Sequence, residues 1–114
     1  MIEKITIKEK TTSNIDMQLL ADSAGINLTS IDHISMYMID STNKTYRYNS
    51  NDVSPAVSII TASTGNVRFV PPDPTIFVYQ NSPYQLQWKI WETATKAYSV
   101  PEEGSAWIYV EKEF

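Results

Sequence analysis

The chain has no cysteine. That excludes a thiolate zinc site, a disulfide framework and a cysteine nucleophile, and it leaves the sequence indifferent to redox compartment. There is a single histidine, His33, so Ser–His and His–metal constellations have little to draw on. Lys and Arg number 9 against 13 Asp and Glu, for a net charge of −4 with no basic block. Phosphate binding needs clustered cations, so no nucleic acid partner is expected. The opening MIEKITIKEK has no apolar h-region, and the expectation is a chain without a signal peptide. No apolar run approaches the roughly 18 residues that span a bilayer, so no membrane insertion is expected. The reading is a soluble cytosolic product, or one exported by a route not written in the chain.

What is present suits one folded domain over residues 1–114, with 42% hydrophobic and 19% charged residues. A chain of this length can bury a core without disulfides or metals. Aromatics make up 11%, among them seven Tyr and three Trp. Such residues favour strands, and Tyr and Trp also favour interfaces.

The dominant period is two. Ile5 and Ile7 alternate with Lys4, Thr6 and Lys8. The same alternation carries Ile15, Met17 and Leu19, then Ile34, Met36 and Met38, then Val67 and Phe69. It returns in Tyr84, Leu86, Trp88 and Ile90, and finally in Ala106, Ile108 and Val110. Alternation sends successive side chains to opposite sheet faces, so each segment reads as a half-buried strand. Tyr46–Tyr48 and Val57–Thr61 bring the expected number to about eight. Turn residues separate the runs: Ala24-Gly25, Ser41 to Lys44, Ser63 to Asn66, and Glu102-Glu103-Gly104. Pro71, Pro72 and Pro74 end the Val67 strand because proline cannot donate to a ladder. The expectation is an all-β, immunoglobulin-like antiparallel sandwich of about seven or eight strands. The best helical candidate is one turn around Asp73–Val78, with Pro74 at its first position.

Candidate chemistry is sparse. His33 lies opposite in phase to Ile34, Met36 and Met38, so it faces outward or starts a strand. Glu102 and Glu103 lie in a turn, and with Asp16 and Asp22 they offer no pair facing a cleft, which glycoside hydrolysis requires. Asn49 to Asp52 offers oxygen donors but only one carboxylate, too few for calcium. Asn27-Leu28-Thr29 and Asn43-Lys44-Thr45 match the glycosylation sequon, read as chance in a chain without a secretory signal. No catalytic residue, metal or cofactor is implied, and the expectation is a protein that is not an enzyme.

The order of these signals resembles the immunoglobulin-like N-terminal domain of bacteriophage baseplate upper proteins. The resemblance rests on Gly25-Ile26-Asn27-Leu28-Thr29-Ser30, on Gly65-Asn66-Val67-Arg68-Phe69, and on the crossover Pro72-Asp73-Pro74-Thr75-Ile76. It continues in Ser82-Pro83-Tyr84-Gln85-Leu86-Gln87-Trp88 and in Val100-Pro101-Glu102-Glu103-Gly104 through Val110. It covers nearly the whole chain. Ser30 stands where the family carries glycine, and Ser82-Pro83 replace the glycine before the tyrosine. The resemblance implies a virion structural module, made in the host cytoplasm, docking to other virion proteins in a tail, baseplate, neck or head-fibre assembly, in several symmetric copies. It also implies that Tyr84 opens the strand equivalent to strand F, where a tyrosine bonds the backbone of the preceding corner.

One pattern points to a contact surface. If the alternating apolar residues face inward, Tyr37, Trp91, Trp107 and Tyr109 all face outward. Their strands can neighbour one another in one sheet of such a sandwich. Outward aromatics gathered on one face suggest docking, with edge-strand pairing as a second means. Two alternatives stay open: a one-residue register change that makes the four residues core, or cover by the loop Asn49–Pro55. A carbohydrate-binding module is the alternative function, since exposed Trp and Tyr can stack on sugar rings.

Overall fold

The computed structural model describes residues 3–21, 24–100 and 106–112. The eight strands expected from the alternation are all present: β1 (Glu3–Lys8), β2 (Ile15–Gln18), β5 (His33–Ile39), β6 (Thr45–Asn49), β7 (Val57–Thr61), β8 (Asn66–Phe69), β9 (Tyr84–Trp91) and β11 (Ala106–Glu111). Three shorter ones join them: β3 (Leu20–Ala21), β4 (Ala24–Gly25) and β10 (Ala97–Val100). One sheet runs β1-β11-β9-β5-β6, with β10 added beside β9, and the second runs β2-β8-β7. These two sheets pack as an immunoglobulin-like sandwich; β3 and β4 form a small separate hairpin.

One ladder departs from the antiparallel expectation. β1 runs parallel to β11, with Ile5 opposite Ile108 and Ile7 opposite Val110. The first strand therefore borders the last one, and β2 keeps a free edge in the smaller sheet. The partners of β9 show a second irregularity. Val100 faces Trp88 and Ala106 faces Leu86, so β10 and β11 share one edge of β9 across an insertion.

Burial follows the period of two. Tyr84, Leu86, Trp88 and Ile90 of β9 are buried, as are Ile34, Met36 and Met38 of β5 and Ala106, Ile108 and Val110 of β11. They meet Ile15, Met17, Val57, Val67 and Phe69 of the other sheet in one hydrophobic cluster. An arc of rings crosses between the sheets. Tyr48 lies 5.0 Å from Phe69, Phe69 meets Phe77 edge-on at 6.0 Å, and Phe77 meets Tyr84 at 5.1 Å. Such tilted and edge-on pairs match the ring quadrupoles.

No helical turn forms over Asp73–Val78; among the described residues the two 3₁₀ turns are Ala62–Thr64 and Tyr79–Asn81. Two sets of hydrogen bonds explain the difference. Asp73 Oδ1 accepts the Thr75 backbone N–H at 2.8 Å, which closes a local turn. Tyr84 then takes the backbone that a helix would need: its hydroxyl donates to the Ile76 carbonyl at 2.7 Å and accepts the Val78 N–H at 3.1 Å. This is the corner tyrosine expected for strand F. In antibody domains a cysteine follows two residues later; Leu86 holds that place here, and apolar packing substitutes for the disulfide. Ser82, which replaces the glycine of the phage pattern, accepts the Val110 N–H at 2.9 Å and anchors β11. Tyr84→Phe keeps the ring and strands the Ile76 carbonyl and Val78 N–H. The expected loss is about 1–3 kcal/mol, read as a lower urea midpoint at unchanged m-value.

The β5–β6 turn is built on a buried carboxylate. Asp40 Oδ1 accepts from Thr42 N–H (2.9 Å), Thr42 hydroxyl (2.6 Å) and Lys44 N–H (3.0 Å), and Oδ2 accepts from Tyr46 hydroxyl (3.1 Å). Burial acts to raise the Asp40 pKa, but these hydrogen bonds outweigh it and hold it below the ordinary aspartate value. Burial, and then the Asp40 hydrogen bond, push the Tyr46 hydroxyl pKa well up. The signs of the two contributions to stability are opposite. The depressed acid stabilises above its unfolded pKa and loses that contribution as pH falls through the folded one. The raised phenol stabilises below its unfolded pKa and loses its contribution as pH rises through the folded one. Stability should therefore fall below about pH 4 and again above about pH 10. Urea midpoints across pH, with Asp40→Asn flattening the acid limb, check this.

Candidate functional site

The outer face of the larger sheet collects the four aromatics that the alternation places outward. Lys4, Thr6 and Lys8 of β1 lie on it, opposite Trp107, Tyr109 and Glu111 of β11. Trp107 faces Gln85, which faces Ile39. Gln87 faces Tyr37, which faces Arg47 of β6. Lys89 faces Ser35, and Trp91 faces His33. The register alternative does not apply to the four aromatics: their alternating neighbours Ile34, Met36, Met38, Leu86, Trp88, Ile108 and Val110 are the core. Of the loop Asn49–Pro55, residues 51–55 are exposed and Asn49 is half-buried beside Ser35.

The four rings are not one bare patch. Tyr109 is 37% exposed, whereas Tyr37, Trp91 and Trp107 are half-buried. Cations cover three of them. The Lys4 ammonium sits 4.6 Å from the Tyr109 ring centre. Arg47 lies 5.4 Å from Tyr37 on one side strand, and Lys89 lies 5.7 Å from it on the other. Lys89 also reaches Trp91 at 5.4 Å. The ring quadrupole attracts each cation and fixes its position. His33 stacks on Trp91 at 5.3 Å and 11°, and its Nδ1 lies 2.6 Å from Asp32 Oδ2.

Ser35 belongs to this face by phase, yet it is fully buried. Its hydroxyl donates to Asn49 Oδ1 at 2.5 Å and accepts the Trp91 indole N–H at 3.2 Å. These bonds hold Trp91 down against β5. This anchor is not legible in the sequence, because an alternation pattern assigns a face and says nothing of what lies over it. The outward phase of Arg47, Lys89 and Lys4 is legible in the same alternation, but their seats over the rings are not. Between β6 and β9 the face dips into a depression of about 280 Å³ lined by Tyr37, Ile39, Thr45, Gln85 and Gln87.

The remaining polar groups are engaged in local structure. Asp52 accepts the Asn49 N–H at 3.0 Å and so turns back onto its own loop. Asn27 accepts from the Thr29 N–H and hydroxyl, at 3.0 and 2.6 Å. Asp16 and Arg68 pair across β2 and β8 through bonds of 2.8 and 3.1 Å. Asp22, Glu102 and Glu103 lie outside the described residues. Among the described residues no three His, Asp or Glu side chains gather as metal ligands, and no helix is long and apolar enough to cross a membrane.

No protein-family model matches the chain, and a search of curated proteins finds no significant match.

Proposed function

We propose that the protein is a non-enzymatic docking module of a bacteriophage virion, an immunoglobulin-like domain held in a tail, baseplate, neck or head-fibre assembly. The observation that carries the reading is the outer face of the larger sheet, where Tyr37, Trp91, Trp107 and Tyr109 lie on three adjacent strands. The order of sequence motifs that resembles phage baseplate domains supplies the virion context. Docking by such a face calls for no catalytic step, and several copies in cyclic symmetry would multiply a modest contact. Other virion proteins are the partners. Mass spectrometry of purified virions is the test: the protein should be found in stoichiometric amount, and its absence sinks the reading.

A carbohydrate-binding role has one observation in its favour. The two exposed rings Tyr79, at 46%, and Tyr109, at 37%, border an open groove together with Lys8, Gln80, Glu111 and Lys112. This role predicts a glycan-array signal that Tyr109→Ala removes, and a blank array on host polysaccharides ends it.

A further inference from the structure

The aromatic face is also the electropositive face of an acidic protein. The chain carries 13 acids and 9 cations. On the outer strand positions of the larger sheet the balance reverses among the described residues: Lys4, Lys8, Arg47 and Lys89 face outward with one acid, Glu111. Glu111 is taken up by Lys8, 3.8 Å away. At the border, Asp32 and Asp52 are turned onto His33 and Asn49, and Glu92 stands exposed after Trp91. Among the described residues Lys4, Arg47 and Lys89 have no carboxylate within ion-pair distance.

We infer that the face receives a carboxylate-rich surface of a partner protein. This deepens the docking role proposed above and rests on it. The charge reversal is the first argument, because a cationic face on an anionic body orients and attracts an acidic partner. The seating of the cations is the second. Arg47 and Lys89 both lie over Tyr37, Lys89 also over Trp91, and Lys4 over Tyr109. A sugar ring stacks on a bare aromatic face, and here cations occupy that position on Tyr37, Trp91 and Tyr109. What the partner meets is guanidinium and ammonium held in place by rings, groups that form charge-assisted hydrogen bonds to carboxylates. The depression beside Tyr37 offers the Gln87 and Thr45 side chains as further polar groups around such a carboxylate.

The probe is poly-L-glutamate, titrated into the whole chain and followed by amide and Trp indole NMR shifts. The shifts should map to Lys4, Tyr37, Arg47, Lys89, Trp91 and Trp107. Affinity should fall about tenfold between 50 and 300 mM salt, as exposed charge pairs are screened. Arg47→Gln combined with Lys89→Gln should weaken binding about tenfold, whereas Lys96→Gln in the exposed β9–β10 turn should leave it unchanged. Absence of binding, shifts elsewhere on the sandwich, or equal weakening by Lys96→Gln overturns the inference. So does tighter binding of polygalacturonate or of duplex DNA at equal charge concentration, which would assign the face to an acidic glycan or a nucleic acid. Detection in virions is independent of this titration, so failure of the acidic-partner inference and failure of the virion reading are told apart.

Discussion

Trp88→Ala should cost about 3–5 kcal/mol, a large share of what a domain of this size has to lose. Trp88 is the largest side chain in the core and is 1% exposed. In register it stands between Met36 of β5 and Val100 of β10, on the inner face of the larger sheet. Alanine would leave a cavity lined by residues of three strands, and strands tied into ladders on both sides relax poorly into such a space. The indole carries a second, opposing feature. Its Nε1 is buried and has no hydrogen-bond partner among the described residues. An unpaired buried donor is itself destabilising by about 1–3 kcal/mol. Trp88→Phe removes that donor while keeping one aromatic ring, so its net loss should stay below about 1.5 kcal/mol. Urea unfolding of both variants against the parent separates the two terms. Equal losses for alanine and phenylalanine would mean that the retained ring recovers none of the packing.

That the tryptophan faces inward was legible in the sequence, and so was the outward direction of Trp91 three residues later. Both follow from the alternation through Tyr84, Leu86, Trp88 and Ile90, and from no knowledge of neighbours. The order of strands is of another kind. A period of two assigns each residue a face, yet it is the same whether β1 borders β2 or β11. The parallel β1–β11 pair therefore had to be seen. Short elements escape for a related reason: β3 and β4 have two residues each, too few to show any period. β10 reads Ala-Tyr-Ser-Val and is stepped against β11 by an insertion, so it does not continue the alternation of the strand beside it. At the candidate site the four aromatic positions came from phase alone. The cations over Tyr37 and Trp91 came from cross-strand register, which joins Arg47 to Tyr37 and sets Lys89 between Tyr37 and Trp91. Asp40 is the sharpest case of hidden context. Between Ile39 and Ser41 it reads as a surface turn residue, and only the convergence of Thr42, Lys44 and Tyr46 on its two oxygens explains its burial.

Gly65→Ala should be the other severe change, with a loss of about 3 kcal/mol or more arising from backbone alone. Gly65 ends the Ala62–Thr64 turn with φ +76°, a left-handed conformation that alanine adopts at a penalty. Space is the larger obstacle. A Cβ there would stand 2.7 Å from the Leu19 carbonyl oxygen, 2.8 Å from that of Ile26 and 2.9 Å from the Ile26 nitrogen. None of these atoms is free to turn away. The Ile26 N–H donates to the Leu19 carbonyl at 2.9 Å, the Leu19 N–H to the Gly65 carbonyl at 2.8 Å, and the Leu28 N–H to the Ala62 carbonyl at 2.7 Å. To admit one methyl group, the chain around β3 and β4 must move away from the turn and give up bonds of this set. Leu19, Ile26 and Leu28 would then lose part of their burial. Gly65→Asn separates the two causes, because asparagine tolerates the left-handed region but still carries a Cβ. If the collision dominates, asparagine should recover well under half of the alanine loss; full recovery would mean that backbone strain was the whole effect. Amide exchange should quicken first at Leu19, Ile26 and Leu28. Gly65 lies just before β8, the central strand of the smaller sheet, whereas the cationic face belongs to the outer side of the larger one. Whatever fraction of Gly65→Ala remains folded should therefore bind poly-L-glutamate as the parent does, and a variant that kept its fold but lost that binding would show that the two regions are coupled through the core.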